Sequence, residues 1–155
     1  MSFDLKKPGD SMDLAFDAAE SAGQRGEVPV GAVIVDPASN TVLAVAGNEV
    51  EARNDPTAHA EVLAIRAAAT KTGSPRLAGC DLYVTLEPCP MCAAAISFAR
   101  LRQVVFGAYD PKGGGVDHGP RMFSQPTCHH RPEVIGGIDA GRAEALLKDF
   151  FAARR

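Results

Sequence analysis

Tryptophan is absent from this 155-residue chain, tyrosine occurs twice, and aromatic residues reach only 6%. The core must therefore be aliphatic and rich in alanine. Four cysteines are too few for a disulfide-built scaffold at this length. A basic excess is missing: sixteen Lys and Arg stand against nineteen Asp and Glu, a net charge of −3. That excludes a histone-like polycation but leaves room for a local basic patch. Long apolar runs are missing too. The longest, near residues 28–35 and 92–99, fall far short of the ~20 residues that cross a bilayer. The opening MSFDLKKPGDSMDL lacks the apolar stretch of a signal peptide. The expectation is one soluble domain over residues 1–155 in a reducing, cytoplasmic compartment, with residues 1–10 a loose arm. In such a compartment, closely spaced cysteines are more often metal ligands or redox centres than disulfides.

What is there includes ordinary hydrophobic content, 46%, enough for a full core. The charge is uneven. Residues 1–75 carry six basic and eleven acidic side chains, residues 76–155 ten and eight. The chain ends in Arg154-Arg155, weak support for an anionic partner against the blander reading of a solvated surface.

Asp10 or Ser11 can cap a first helix, with Met12, Ala15, Phe16 and Ala19 on one face and Gly23 or Gly26 at its end. Residues 28–35 and 41–46 read as a hairpin around the turn Asp36-Pro37-Ala38-Ser39-Asn40. Residues 48–56 read as loop. Thr57 can cap a helix over about residues 58–69. Residues 81–86 and 103–108 are strands, with a helix from Pro90 to about Arg100 between them. A loop-rich stretch over 109–132 precedes a short strand at 134–138. Asp139 opens a last helix whose apolar face is Ala143, Leu146, Leu147, Phe150 and Phe151. Strands alternating with helices after a first hairpin predict one mixed sheet with helices on both faces.

Two short groups carry chemistry: His59-Ala60-Glu61 and Pro88-Cys89-Pro90-Met91-Cys92. Each opens a predicted helix. Cys-x-x-Cys at a helix start brings two sulfurs to one ion, and the positive dipole end favours thiolates there. Two thiolates and one imidazole suit zinc, and three protein ligands leave the open fourth position of a catalytic site. Glu61, two residues from His59, reaches the same point only if both lean over the helix end; it would then stand beside the metal's water without binding the metal. A thioredoxin-like redox pair is an alternative, but it leaves His59 and Glu61 without a purpose. A closed structural zinc site is another, with Cys80, Cys128, His129 or His130 as fourth ligand. No tight spacing supports it, and Cys80 and Cys128 read as packing residues.

The combination, His-x-Glu followed by Pro-Cys-x-x-Cys, resembles the zinc deaminase signature. Asn54-Asp55-Pro56-Thr57-Ala58-His59-Ala60-Glu61, Leu82-Tyr83-Val84-Thr85-Leu86-Glu87-Pro88-Cys89 and Val104-Val105-Phe106-Gly107-Ala108 are similar to the bacterial tRNA-specific adenosine deaminase family. Phe150-Phe151 with Arg154-Arg155 resembles the basic end of that family's last helix, so the likeness runs from about Met12 to Arg155. The resemblance implies a cytidine deaminase-like three-layer α/β/α sandwich with a mixed five-stranded sheet, and a homodimer. It implies conversion of the wobble adenosine of an arginine tRNA to inosine, with water as co-substrate and the tRNA anticodon loop as partner. One zinc per subunit would be held by His59, Cys89 and Cys92, with Glu61 moving protons. Asn48 would meet the base or simply cap a turn, Asp110 and Lys112 would lie near bound RNA, and Phe150 would touch the anticodon loop or simply pack. The sequence departs from the family in a longer turn at residues 36–40, in Tyr109 where many members have Arg, and in the loop from Gly113 to Gly119. A deaminase of free bases or nucleosides is the runner-up, and a non-catalytic zinc-stabilised RNA-binding module the third reading.

Overall fold

The computed structural model of the protein describes residues 10–154; the arm expected over residues 1–10 lies outside them except for Asp10, as does Arg155. In chain order the elements are α1 (Asp10–Gln24), β1 (Gly31–Asp36), β2 (Thr41–Gly47), α2 (Val50–Arg53), α3 (Ala60–Thr72), β3 (Asp81–Leu86), α4 (Pro90–Phe98), β4 (Gln103–Ala108), a 3-10 turn (Met122–Ser124), β5 (Glu133–Ile135) and α5 (Ala140–Ala152). The strands form one five-stranded sheet in the order β2-β1-β3-β4-β5. β1 runs antiparallel to β2 and β3, while β3, β4 and β5 are parallel.

Successive side chains of a strand point to opposite faces, and β1 shows what that does. Val33 and Val35 join Met12 and Phe16 of α1 and Ala143 of α5 in one core. Ala32 and Ile34 join Ala64 and Ala68 of α3 and Ala93 and Ile96 of α4 in the other. Helices thus cover both faces, giving the three-layer α/β/α sandwich with a mixed sheet that the sequence pattern predicts. The cores are aliphatic, with Phe16 and Phe106 the largest fully buried side chains. No described helix is long and apolar enough to cross a membrane.

Several boundaries differ from expectation, each for a local reason. β1 begins at Gly31 rather than residue 28, because the N–H of Val30 turns back to the Val28 carbonyl and Pro29 has none to give. A Cβ at Gly31 would collide with the Ala15 carbonyl, so the strand enters pressed against α1. Thr57 does not cap α3. Its N–H and hydroxyl both bond Asp55 Oδ1 (2.9 and 2.7 Å), and the helix starts later, after His59. A helical turn, α2, stands within the expected loop over residues 48–56. β5 covers only Glu133–Ile135. Asp139 precedes α5 as expected, but with φ 54° and no capping bond from its side chain. Of the apolar face expected on α5 only Ala143 is buried, and Phe151 is 48% exposed. Leu146 packs against the core under α1, and Leu147, Phe150 and Phe151 look onto two cavities described below.

Candidate metal centre and active site

Two helix N-termini meet above the sheet. His59 is the N-cap of α3 and Cys89 the N-cap of α4, both in extended conformation, and Cys92 is buried in the first turn of α4. His59 Nδ1 lies 3.6 Å from Cys89 Sγ and 3.5 Å from Cys92 Sγ. Among the described residues this is the trio of His, Cys, Asp or Glu placed to share one ion, its ligand atoms all within 4.8 Å of one another. Without a metal the two thiols share charge unequally. Cys89 is held down to about 4, first by the Cys92 S–H and then by His59, while its thiolate pushes the Cys92 thiol up. The same thiolate raises the His59 imidazole, against the opposing effect of burial. An ionised sulfur beside a second thiol and an imidazole, at two positive helix ends, is a donor set that fits zinc.

Glu61 lies in the first turn of α3 and is only 4% exposed. Burial raises its carboxyl to about 7, and the Cys89 thiolate adds to the rise. The expected leaning over the helix end fits the structure, in which Glu61 lines one cavity together with His59 and Cys89. That cavity has a volume of about 620 Å³, within the ~300–1,000 Å³ range of small-molecule pockets.

Asn48 also lines it, and its amide is already at work. Oδ1 accepts the N–H of Ala60 (2.8 Å), the first residue of α3, and Nδ2 donates to the Val28 carbonyl (3.1 Å). Asn48 thereby satisfies a helix-start donor that Thr57 was expected to cover. Its Nδ2 carries a second hydrogen, the one a base in the cavity could take.

Asp110 and Phe150 line the central cavity, and the Arg154 guanidinium lies 3.5 Å over the Phe150 ring at its edge. Lys112 does not line it. It borders a neighbouring cleft with Tyr109, Leu147 and Phe151, which shares Val28, Leu86, Asp110 and Gly113 with the first. Arg131 lines neither cavity and donates to the Phe123 and Gln125 carbonyls. Cys80 is buried in the α3/α4 core and Cys128 packs against it, as expected of packing residues. His130 is bonded through Nε2 to the Leu101 carbonyl.

Sequence reasoning missed two buried carboxylates. Glu27 accepts the N–H groups of Glu51 and Ala52 (3.0 and 2.9 Å) and so holds α2 at the cavity's edge. Glu87, between β3 and Cys89, accepts N–H groups from Asp110, Val116, Asp117 and His118 and the Nδ1 hydrogen of the His118 ring. Burial alone would raise the Glu87 carboxyl, yet these bonds hold it below the ordinary value. Glu87 stood inside a segment that carries the family resemblance, but the residue pattern itself offered only an acid directly flanking an apolar stretch, which many solvated acids share.

The site now has relatives. The chain belongs to the cytidine and deoxycytidylate deaminase zinc-binding family, whose model matches residues 6–108. It is 54% identical over 144 residues, 93% of each chain, to a tRNA-specific adenosine deaminase of Agrobacterium fabrum. A solved structure from a study of A-to-I editing by tRNA:A34 deaminases at the wobble position of transfer RNA is 55% identical. It superposes with a TM-score of 0.86 over 88% of this chain and 98% of that one. Within the wider family, the chain therefore stands with the tRNA-specific adenosine deaminases. A guanine deaminase from Bacillus subtilis is more distant, at 31% identity and a TM-score of 0.65 over 96% of this chain and 94% of its own.

Proposed function

We propose that this protein is a zinc-dependent hydrolytic deaminase that converts the wobble adenosine of a transfer RNA, an arginine tRNA, to inosine. The observation that carries the reading is the His59, Cys89 and Cys92 cluster with Glu61 buried beside it on one cavity wall. His59 Nδ1 and the two Sγ atoms would hold the metal. Zinc in such a site supplies Lewis acidity and a nucleophilic water at neutral pH. Glu61 takes a proton from the attacking water and delivers it to the purine ring nitrogen, then takes the remaining proton from the added hydroxyl and delivers it to the departing amine. One water is consumed and one ammonia leaves. Burial favours the protonated form of this carboxyl and so makes it a better proton donor than a solvated one, which suits the task. Asn48 offers its remaining Nδ2 hydrogen to the base, and Phe150, backed by Arg154, offers a stacking face to the RNA. Asp110 and Lys112, on the loop after β4, meet the flanking nucleotides.

We also infer a homodimer. Phe98 at the end of α4 is 74% exposed beside a small cavity bordered by Ala94, Met122 and Cys128, an apolar face suited to a second copy. The free thiols of the metal cluster fit the reducing cytoplasm.

The test gives zinc-loaded protein an arginine tRNA bearing a wobble adenosine, and in parallel free guanine, adenine, cytosine and cytidine. Ammonia release and an A-to-G change in the sequenced tRNA are recorded. Editing of the tRNA with no release from free bases is the expected result. Brisk release from a free base with an unedited tRNA sinks the reading in favour of a free-base deaminase, and inactivity on every substrate points to a binding module.

A further inference from the structure

We propose that Glu87 is a positioning residue that holds the substrate-facing wall of the site against the turn carrying the metal ligands. The inference rests on the functional reading above for what the wall does, and on geometry alone for how it is held.

The wall is the loop over residues 110–118. Its own bonds only shape it: the Gly114 N–H reaches the Asp110 carbonyl (2.8 Å) and the Gly113 N–H the Asp110 carboxylate (3.0 Å). Val116 is buried in the α3/α4 core and the Gly115 carbonyl accepts the Met122 N–H (2.7 Å), but most of the polar bonds that attach the loop to the fold run through residues 87–90. Glu87 Oε1 accepts the Asp110 N–H (3.0 Å) and the His118 ring (2.8 Å). Oε2 accepts the N–H groups of Val116 (3.2 Å), Asp117 (3.0 Å) and His118 (3.2 Å). One carboxylate, its side chain wholly buried, thus gathers five donors from both ends of the loop. The Gly115 N–H adds a bond to the Pro88 carbonyl (2.8 Å).

The fit leaves no room. A Cβ at Gly114 would collide with the Glu87 carboxylate and the Asp110 carbonyl, and one at Gly115 with Cys89 and Pro90. Asp110 and Gly113, at the front of the loop, line both the central cavity and the neighbouring cleft, and Lys112 projects from the same turn. Glu87 therefore sets where Asp110 and Lys112 stand relative to Cys89, two residues further on. A neutral side chain at 87 would leave five convergent N–H groups facing no charge, and the loop would move off the metal turn.

The experiment uses the full-length, zinc-loaded chain and compares wild type with Glu87→Gln, Gly114→Ala and the double variant. Gly114→Ala leaves the carboxylate intact and displaces the loop from its own side, so it carries the test if Glu87→Gln does not fold. Zinc per chain, kcat and KM for the tRNA, and amide exchange over residues 110–118 are measured. Each single variant should raise KM about tenfold with kcat within about threefold, because contacts are misplaced while the chemical groups remain. Zinc stoichiometry should hold, and the amides of Asp110, Val116, Asp117 and His118 should exchange at least about tenfold faster. The double variant should be no worse than the worse single to within about twofold, since both break one device. Unchanged KM, additive losses, or a fall in zinc and kcat at constant KM would overturn the proposal. A wild type that edits no tRNA counts against the functional reading instead, and the exchange measurement still decides whether Glu87 holds the loop.

Discussion

Glu61 and Glu87 are the same residue type, both nearly buried, and both within two residues of a member of the candidate metal cluster. Their environments drive them in opposite directions. Glu61 has little to offset its burial and is raised to about 7; Glu87 collects four backbone N–H groups and an imidazole and is held below the ordinary carboxylate range. Burial sets the cost of a carboxylate, and the number of donors decides whether it is met. The one left short of donors can give and take protons. The one surrounded by donors stays ionised and serves as an anchor. Separated environments of this kind are how one fold assigns different tasks to like groups.

The largest effect separating the two should be kinetic. Glu61→Ala is expected to lose ~10²–10⁴-fold in single-turnover rate with zinc content and fold intact, the usual range for a general acid–base group. Metal analysis beside a rapid-quench assay checks it. Undiminished turnover would remove Glu61 from the mechanism and collapse the contrast. Glu87→Gln should instead spare the chemical step and act on KM.

Stability should show the reverse order. Glu87→Gln is expected to cost about 2 kcal/mol at pH 7, because five donors lose a charged acceptor in a buried place. The sign with pH follows from the lowered value. A carboxylate depressed in the folded state stabilises fully above its unfolded value of 4.5, and that contribution fades as pH falls through the folded one. Urea midpoints of wild type and Glu87→Gln should therefore converge on acidification below about pH 4.5. A gap that stays constant or widens would show that Glu87 is not held as an anion.

The half of this pair proposed to move protons was legible in the sequence as a candidate, and the half proposed as an anchor was not. His59, Glu61, Cys89 and Cys92 form two local groups, and helix-start geometry alone brings each to a helix end. The alternation in residues 32–35 likewise sorts itself between two cores without outside information. Glu87 has its partners 23 to 31 residues away and Glu27 has its own 24 and 25 residues away, and all of them except the His118 ring are backbone N–H groups that carry no residue signature. The same blindness explains the missed α2, which is held by Glu27. It explains α5 too. Its apolar stripe was plain from periodicity, but periodicity does not say that Leu147, Phe150 and Phe151 face cavities instead of core.

The last effect is the most specific one. Glu61 is destabilising when ionised, so Glu61→Gln should stabilise the metal-free protein, in contrast to the loss at Glu87. An acid raised in the folded state costs nothing below its unfolded value of 4.5, where both states are protonated. The cost grows from there to about 7 and is constant above. The gain from Glu61→Gln should thus appear between pH 4.5 and 7 and level off, at on the order of 1–3 kcal/mol or a few degrees in Tm. Zinc loading should shrink that gain, because a nearby cation stabilises the ionised carboxylate that Gln has lost. Thermal melts of the chelated and zinc-loaded forms at pH 5 and 8 check all of this. A metal-free Glu61→Gln protein no more stable than wild type at pH 8 would mean that Glu61 is as well compensated as Glu87. Its place in catalysis would then need a source other than burial.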